Sequence, residues 1–262
     1  MIRQTRILTK ALADWPRVTA ATLHLSISLI IAAILATIIF ALWYPGDYKN
    51  LAGGGQLFWI IVSVDVVIGP LLTCVVFNVT KGRKELWCDL TVIALLQIGA
   101  LGYGMYTLFD ARPVALVFEV DRFRVVSSAN VLVTELPQAR QEYRSLPLTG
   151  PWLLGTRAAA NNSEQLKAID MALHGVDVAQ RPNFWQPYAD SRAKALERSR
   201  PVSVLLAKYP SARSDIERRL KEHGLTTNTA RFLPTTARAP GWVAFLGPDG
   251  AVAGFGQYDG FF

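Results

Sequence analysis

Residues 18–43 read VTAATLHLSISLIIAAILATIIFALW, without one Asp, Glu, Lys or Arg from Val18 to Trp43. A run of that length and character exceeds the roughly 18–20 apolar residues that span a bilayer as a helix. Trp43 and Tyr44 suit the interface at its far end, and Pro45-Gly46 stops the helix. The run is about twice the length of a signal-peptide core, and no small-x-small cleavage pattern follows, so it reads as an uncleaved anchor. Working outward, two more apolar runs stand at 57–79 and 87–109. The expected organisation is a basic segment over 1–17, a three-helix membrane region over 18–112, and a soluble domain over 113–262.

Composition agrees. Of 262 residues 51% are hydrophobic and only 18% charged, against about a quarter charged in an average protein. That excludes an ordinary cytosolic protein, a disordered chain and a small disulfide scaffold. The net charge of +7 is divided as +3 on 1–112 and +4 on 113–262, and its basic residues are dispersed, so nucleic acid is not an expected partner. Cys74 and Cys88 both lie in the apolar runs, with no metal or disulfide spacing, and no cofactor is expected.

Lys and Arg near the spans set the expected orientation. Arg3, Arg6, Lys10 and Arg17 precede the first, Lys49 stands alone in the first loop, and Lys81, Arg83 and Lys84 crowd the second. The N-terminus is therefore expected in the cytoplasm and residues 113–262 outside, the periplasm of a bacterium, although Arg112 sits on the wrong side for the trend. Leu8, Leu12 and Trp15 oppose Arg3, Arg6 and Lys10 in a weak helical stripe, read either as a topology-setting tail or as a helix along the membrane surface.

Polar residues inside the spans are the sharpest features. A carboxylate at the depth of Asp65 costs several kcal/mol unless paired, hydrated or protonated. Counting inward from the span ends places Tyr103 level with Asp65 and Gln97 about one and a half turns deeper, so Tyr103 is the expected donor. Pro70, in Gly69-Pro70, kinks the helix and frees the Val66 carbonyl nearby. His24 and Asp89 have compatible depths for a pair. Ala100 and Gly104 have the small-xxx-small spacing of close helix packing. The set reads either as a recognition or proton-sensitive site, or as hydrogen bonding that fixes the bundle.

The soluble part is expected to be α+β with an antiparallel sheet. Strands are expected over Val114–Val126, Pro151–Arg157, Ala230–Thr235, Trp242–Leu246 and Ala251–Tyr258, the last two joined by Gly247-Pro248-Asp249-Gly250. Helices are expected over 135–143, from Asn162 or Ser163 to His174, over 190–198, over 202–208, and over 212–223 with Ser211 as cap. The sequence carries no Ser-nucleophile, metal-cluster or Gly-rich phosphate pattern in this part. Glu142, Arg144, Asp177 and Arg181 read as solvated charges. Phe184, Trp185 and Tyr188, in and just after a turn-rich segment, are candidate partner contacts; capping the core is the other reading of Phe184 and Trp185.

Taken in order, certain stretches resemble a known family. They are Trp43-Tyr44-Pro45, the run Val64-Asp65-Val66-Val67-Ile68-Gly69-Pro70-Leu71-Leu72-Thr73 with Phe77-Asn78, then Asp89-Leu90 with 92–97 (Val-Ile-Ala-Leu-Leu-Gln), Tyr103-Gly104, Arg112-Pro113 and 120–123 (Val-Asp-Arg-Phe). The family is the type IV pilin accessory proteins (TfpX/TfpZ). The resemblance is strong over about 20–126 and weaker beyond, where 146–150 (Leu-Pro-Leu-Thr-Gly) is still similar. It implies a non-enzymatic inner-membrane protein of type IV pilus biogenesis. The implied partners are the major pilin subunit, the inner-membrane assembly machinery and the bilayer. Two other classes stay open: a membrane-embedded signalling or transport subunit, and an intramembrane enzyme using Asp65.

Overall fold

The structure, a computed structural model, describes residues 2–78 and 81–262, with side chains from Pro16 onward. The stripe of Leu8, Leu12 and Trp15 and the end of the second apolar run at Val79 lie outside the described residues. The chain forms two compact units, one of residues 1–40 with 55–109, the other of 41–54 with 110–262.

The first unit is helical. Helix α1 (Ile2–Ile38) runs into a π turn, Ile39–Trp43, and a short helix α2 (Tyr48–Leu51) follows in the loop. The second rod is α3 (Gly54–Ser63), a π turn (Val64–Ile68) and α4 (Gly69–Val76); the third is α5 (Arg83–Asp110). By length and composition Pro16–Trp43, Gly54–Val76 and Arg83–Asp110 are each able to cross a membrane. Their outer faces are apolar and uncovered, as at Leu71 (61% exposed) and Val75 (78%), which fits lipid as the solvent. Hydroxyls on these faces are satisfied within their own helices: Thr22 donates to the Val18 carbonyl, Ser26 to Thr22 and Thr37 to Ala33. Gly104 is buried, and a Cβ there would collide with Ile61, so its smallness sets a helix–helix approach. Ala100 is exposed and takes no part in that seam.

The second unit carries the sheet. Its strands are β1 (Pro113–Glu119), β2 (Arg122–Ser127), β3 (Trp152–Thr156), β4 (Trp185–Pro187), β5 (Arg200–Pro201), β6 (Arg231–Thr236), β7 (Trp242–Leu246) and β8 (Val252–Gly256). The order is β4-β3-β1-β2-β6-β7-β8, with β5 also on β6. The α+β class and the 247–250 hairpin stand as expected. The pairing is mixed, however: β1 with β3 and β2 with β6 run parallel, the other pairs antiparallel. The single strand expected over 114–126 is a hairpin, turning at Val120, which adopts a left-handed φ of 53°. A β-branched residue is unfavourable there, and no Gly, Asn or Pro in the run marks the turn.

Helices α6 (Asn162–Leu173), α7 (Arg192–Arg198), α8 (Val202–Lys208) and α9 (Arg213–Glu222) lie close to their expected places. Asn161, one residue earlier than expected, caps α6 by accepting from the Glu164 amide. Ser211 gives no cap; Pro210–Ala212 forms a 3-10 turn before α9. Residues 133–138 and 141–143 are 3-10 turns rather than one helix.

Strand alternation divides the core. Leu116, Phe118, Trp242, Ala244 and Leu246 point into one cluster, Ala115 and Val117 into a second, and Val243 and Phe245 into a third with α8 and α9. The first cluster includes Leu51, fully buried, with Tyr48 packed against it. The Ala239 amide donates to the Leu51 carbonyl at 3.0 Å and the Gly150 amide to that of Leu42 at 2.7 Å. The loop expected to lie in the membrane region is thus part of the soluble unit. Arg112 is buried there as well and donates to the Pro147 carbonyl.

Candidate functional site

The intramembrane site grows from the π turn of the second rod. A π turn admits one extra residue and recurs at functional positions; here it carries Asp65 near mid-span. Gly69 and Pro70 follow, both buried, with Pro70 in the first turn of α4, where its missing amide costs least. A Cβ on Gly69 would overlap the Gln97 amide and press on the His24 ring. The glycine therefore lets α1 and α5 bring those polar groups to the rod. His24 Nδ1 and Thr73 Oγ1 share a hydrogen bond of 2.6 Å, and Gln97 Nε2 donates to the Asp65 backbone carbonyl at 3.5 Å. Asp65 Oδ1 is buried without a hydrogen-bond partner among the described residues. Beside it lies a cavity of about 160 Å³ whose wall includes His24, Ser28, Ile31, Asp65, Gln97 and Ile98.

Two expected pairings are corrected. Tyr103 is 74% exposed and does not serve Asp65; Gln97 approaches instead, donating to the Asp65 backbone carbonyl. The second rod begins at Gly54 rather than Leu57, so Asp65 lies most of a turn deeper than counted, closer to the depth of Gln97. Asp89 pairs with Lys81 at 2.7 Å, and His24 turns to Thr73. The overlooked member is Thr73. Residues 65, 69 and 73 are spaced by four, which puts the carboxylate, the glycine and the hydroxyl along one helix face.

In the soluble unit the three aromatics are not surface contacts. Phe184 and Trp185 are 1% exposed and Tyr188 4%. Trp185 donates to the Ala179 carbonyl at 2.8 Å and Tyr188 to that of Gly250 at 2.7 Å. The guanidinium groups of Arg157 and Arg181 lie over the Phe184 ring at 4.4 and 4.7 Å, cation–π contacts. Arg181 and Asp177, expected in solvent, are also engaged. Arg181, 2% exposed, grips Glu135 at 2.7 Å, and Asp177 meets Arg124, which also holds Glu119. Among the exposed apolar residues of this unit, three form a stripe on α6: Leu166 (67%), Ile169 (52%) and Leu173 (81%).

Two carboxylates give this unit an acid limit. Hydrogen bonds from Arg157 and the Ala160 amide hold Glu164 at about 2. Those from Tyr258, Arg219 and Arg218 hold Asp215 at about 2. Both lie below the ordinary carboxylate range near 4, so their stabilisation is complete above that range and is lost as pH falls toward 2. Protection of the amides of α6 and α9, referred to their intrinsic exchange rates, is expected to fall between about pH 4 and 2. Glu164→Gln should remove that acid response from α6 alone; an unchanged response would show that the pair does not govern it.

Residues 14–53 match the family described as Fimbrial assembly protein FimB. The fimbrial assembly protein of Dichelobacter nodosus serogroup I is 38% identical over 226 residues, 86% of this chain and 88% of that protein. Its serogroup E1 counterpart is 36% identical over the same shares. The chain belongs to the fimbrial assembly protein family. A shorter member, of serogroups C1 and C2, is 45% identical over 117 residues, 45% of this chain and 89% of that one. No solved structure matches the chain. Membership bears out the resemblance drawn from the span motifs and assigns the protein a role in fimbrial biogenesis. The matched stretch 14–53 covers the first span and the loop whose Leu51 enters the soluble core.

Proposed function

We propose that the protein is a non-enzymatic inner-membrane accessory of type IV fimbriae that binds the pilin subunit before or during its assembly. The observation that carries this reading is the likeness to fimbrial assembly proteins over 86% of the chain, spans and soluble unit together. A subunit awaiting assembly has an apolar helix in the bilayer and a head outside it. Three spans with an outer unit are able to meet both parts, and tethering in one membrane lets each contact be weak. The outer unit chooses the subunit and the spans hold it. The α6 stripe, rather than the buried aromatics, is the apolar surface offered to the subunit head. The intramembrane-enzyme reading lacks a second carboxylate at the depth of Asp65, since Asp89 is taken by Lys81.

Copurification of the subunit from cross-linked membranes tests the reading, and its loss from every preparation would overturn it. Orientation is tested separately. A reporter active only outside the inner membrane is expected to give activity when fused after Phe262 or placed within 46–50, and none at 81–84. The opposite pattern would invert the topology.

A further inference from the structure

The cavity beside Asp65 sets two requirements on whatever occupies it. Its volume of about 160 Å³ is comparable to engineered cavities of about 150 Å³ that admit a benzene ring, so it takes one bulky side chain and not a helix. Its wall is open sideways: Ile27, Ile31 and Ile98 keep 49%, 42% and 67% of their surface. The second requirement is chemical, because Asp65 Oδ1 lies buried on that wall with no donor among the described residues. Gln97 Nε2 donates to the Asp65 backbone carbonyl at 3.5 Å, and His24 Nδ1 bonds Thr73. An acyl chain fills space but donates nothing, and an unserved acceptor in hydrocarbon is costly.

Resting on the reading above, we propose that this cleft between the first and third spans receives the membrane helix of the fimbrial subunit. One bulky side chain of that helix enters the cavity, and a neighbouring hydroxyl, amide or cationic side chain donates to Asp65 Oδ1. This is the knob-into-hole geometry of packed helices with a polar group as glue. Oligomerisation by a second copy, a lipid tail and trapped water are the competing occupants.

A photoreactive residue at Ile31 or Ile98, in intact cells expressing the subunit, tests the cleft against the same residue at Leu71 or Val75 on the uncovered face of α4. Adducts to the subunit's membrane helix are expected from the first two positions and only background from the others. Asp65→Leu is expected to lower that yield about three- to tenfold, the weight of one intramembrane hydrogen bond, while Asp65→Asn, which keeps an acceptor, stays near the parent. Ala32→Phe fills the cavity and should suppress the adduct; Ala94→Leu is the milder variant if the first fails to accumulate in the membrane. Equal adducts from all four positions, or adducts only to lipid or to a second copy, overturn the proposal. If a probe at Leu166 still captures the subunit while the cleft does not, the cleft fails and the accessory role stands. If no position captures it, both fail.

Discussion

Arg181→Leu is expected to lower the thermal unfolding midpoint of the detergent-solubilised protein by about 10 °C. The guanidinium is 2% exposed, bonds both Glu135 oxygens and lies on the Phe184 ring. Removing it strands a carboxylate that is itself 8% exposed. Breaking one half of a buried pair costs about 3–5 kcal/mol, and about 2–4 °C accompanies each kcal/mol in a unit of this size. Arg181→Lys keeps the charge but loses the two-pronged geometry, so it should fall between. Replacing Glu135 and Arg181 together by leucine should recover much of the loss, since the stranded charge is then gone. The internal control is Arg140→Leu, whose contact with Asp190 is exposed and 3.8 Å long and is worth at most about 1 kcal/mol. A shift for Arg181→Leu no larger than that of Arg140→Leu would show that the pair is not a structural keystone.

The second large effect concerns where subunit choice resides. Exchanging residues 41–54 and 110–262 together between two family members is expected to carry subunit preference with the exchanged unit, read as surface fimbriae with each subunit. Exchanging 113–262 alone should lower assembly with both subunits, because Leu51 would then meet a core it was not shaped for. If preference stays with 1–40 and 55–109, selection occurs in the bilayer and the assignment to the outer unit is wrong.

The sequence disclosed the membrane helices well, since an apolar run long enough to span has few alternative readings. It also disclosed α8 and β7 with their observed bounds, where a proline start and a hairpin of Gly, Pro and Asp bracket the elements. What it hid depended on distance or on a missing marker. Val120 turns the chain in a left-handed conformation that a β-branched residue does not announce, with Asp121 alone beside it as a turn former. Arg181 and Glu135 are 46 positions apart, and nothing local distinguishes them from solvated charges. Phe184, Trp185 and Tyr188 sit in a turn-rich stretch, a pattern that reads as surface, yet their rings fill the core beneath it. At the intramembrane site Asp65, Gly69 and Gln97 were legible as residues, but their partners were not, because a three-residue error in one helix start moves a depth estimate by most of a turn.

The membership of Leu51 in the soluble core has a consequence for the order of synthesis. Tyr48 and Leu51 emerge from the ribosome before the second and third spans, and Phe255, which shares their cluster, emerges last of its members. At about 5–20 residues per second, the roughly 200 residues between Leu51 and Phe255 take ~10–40 s to make. Throughout that interval the early segment waits on the membrane surface with its apolar side chains unburied. Its burial requires that the second and third spans leave both pieces on the same side. A molecule inserted with one span missed presents an unfinished core to surveillance proteases, so correct topology is the condition for surviving as well as for acting.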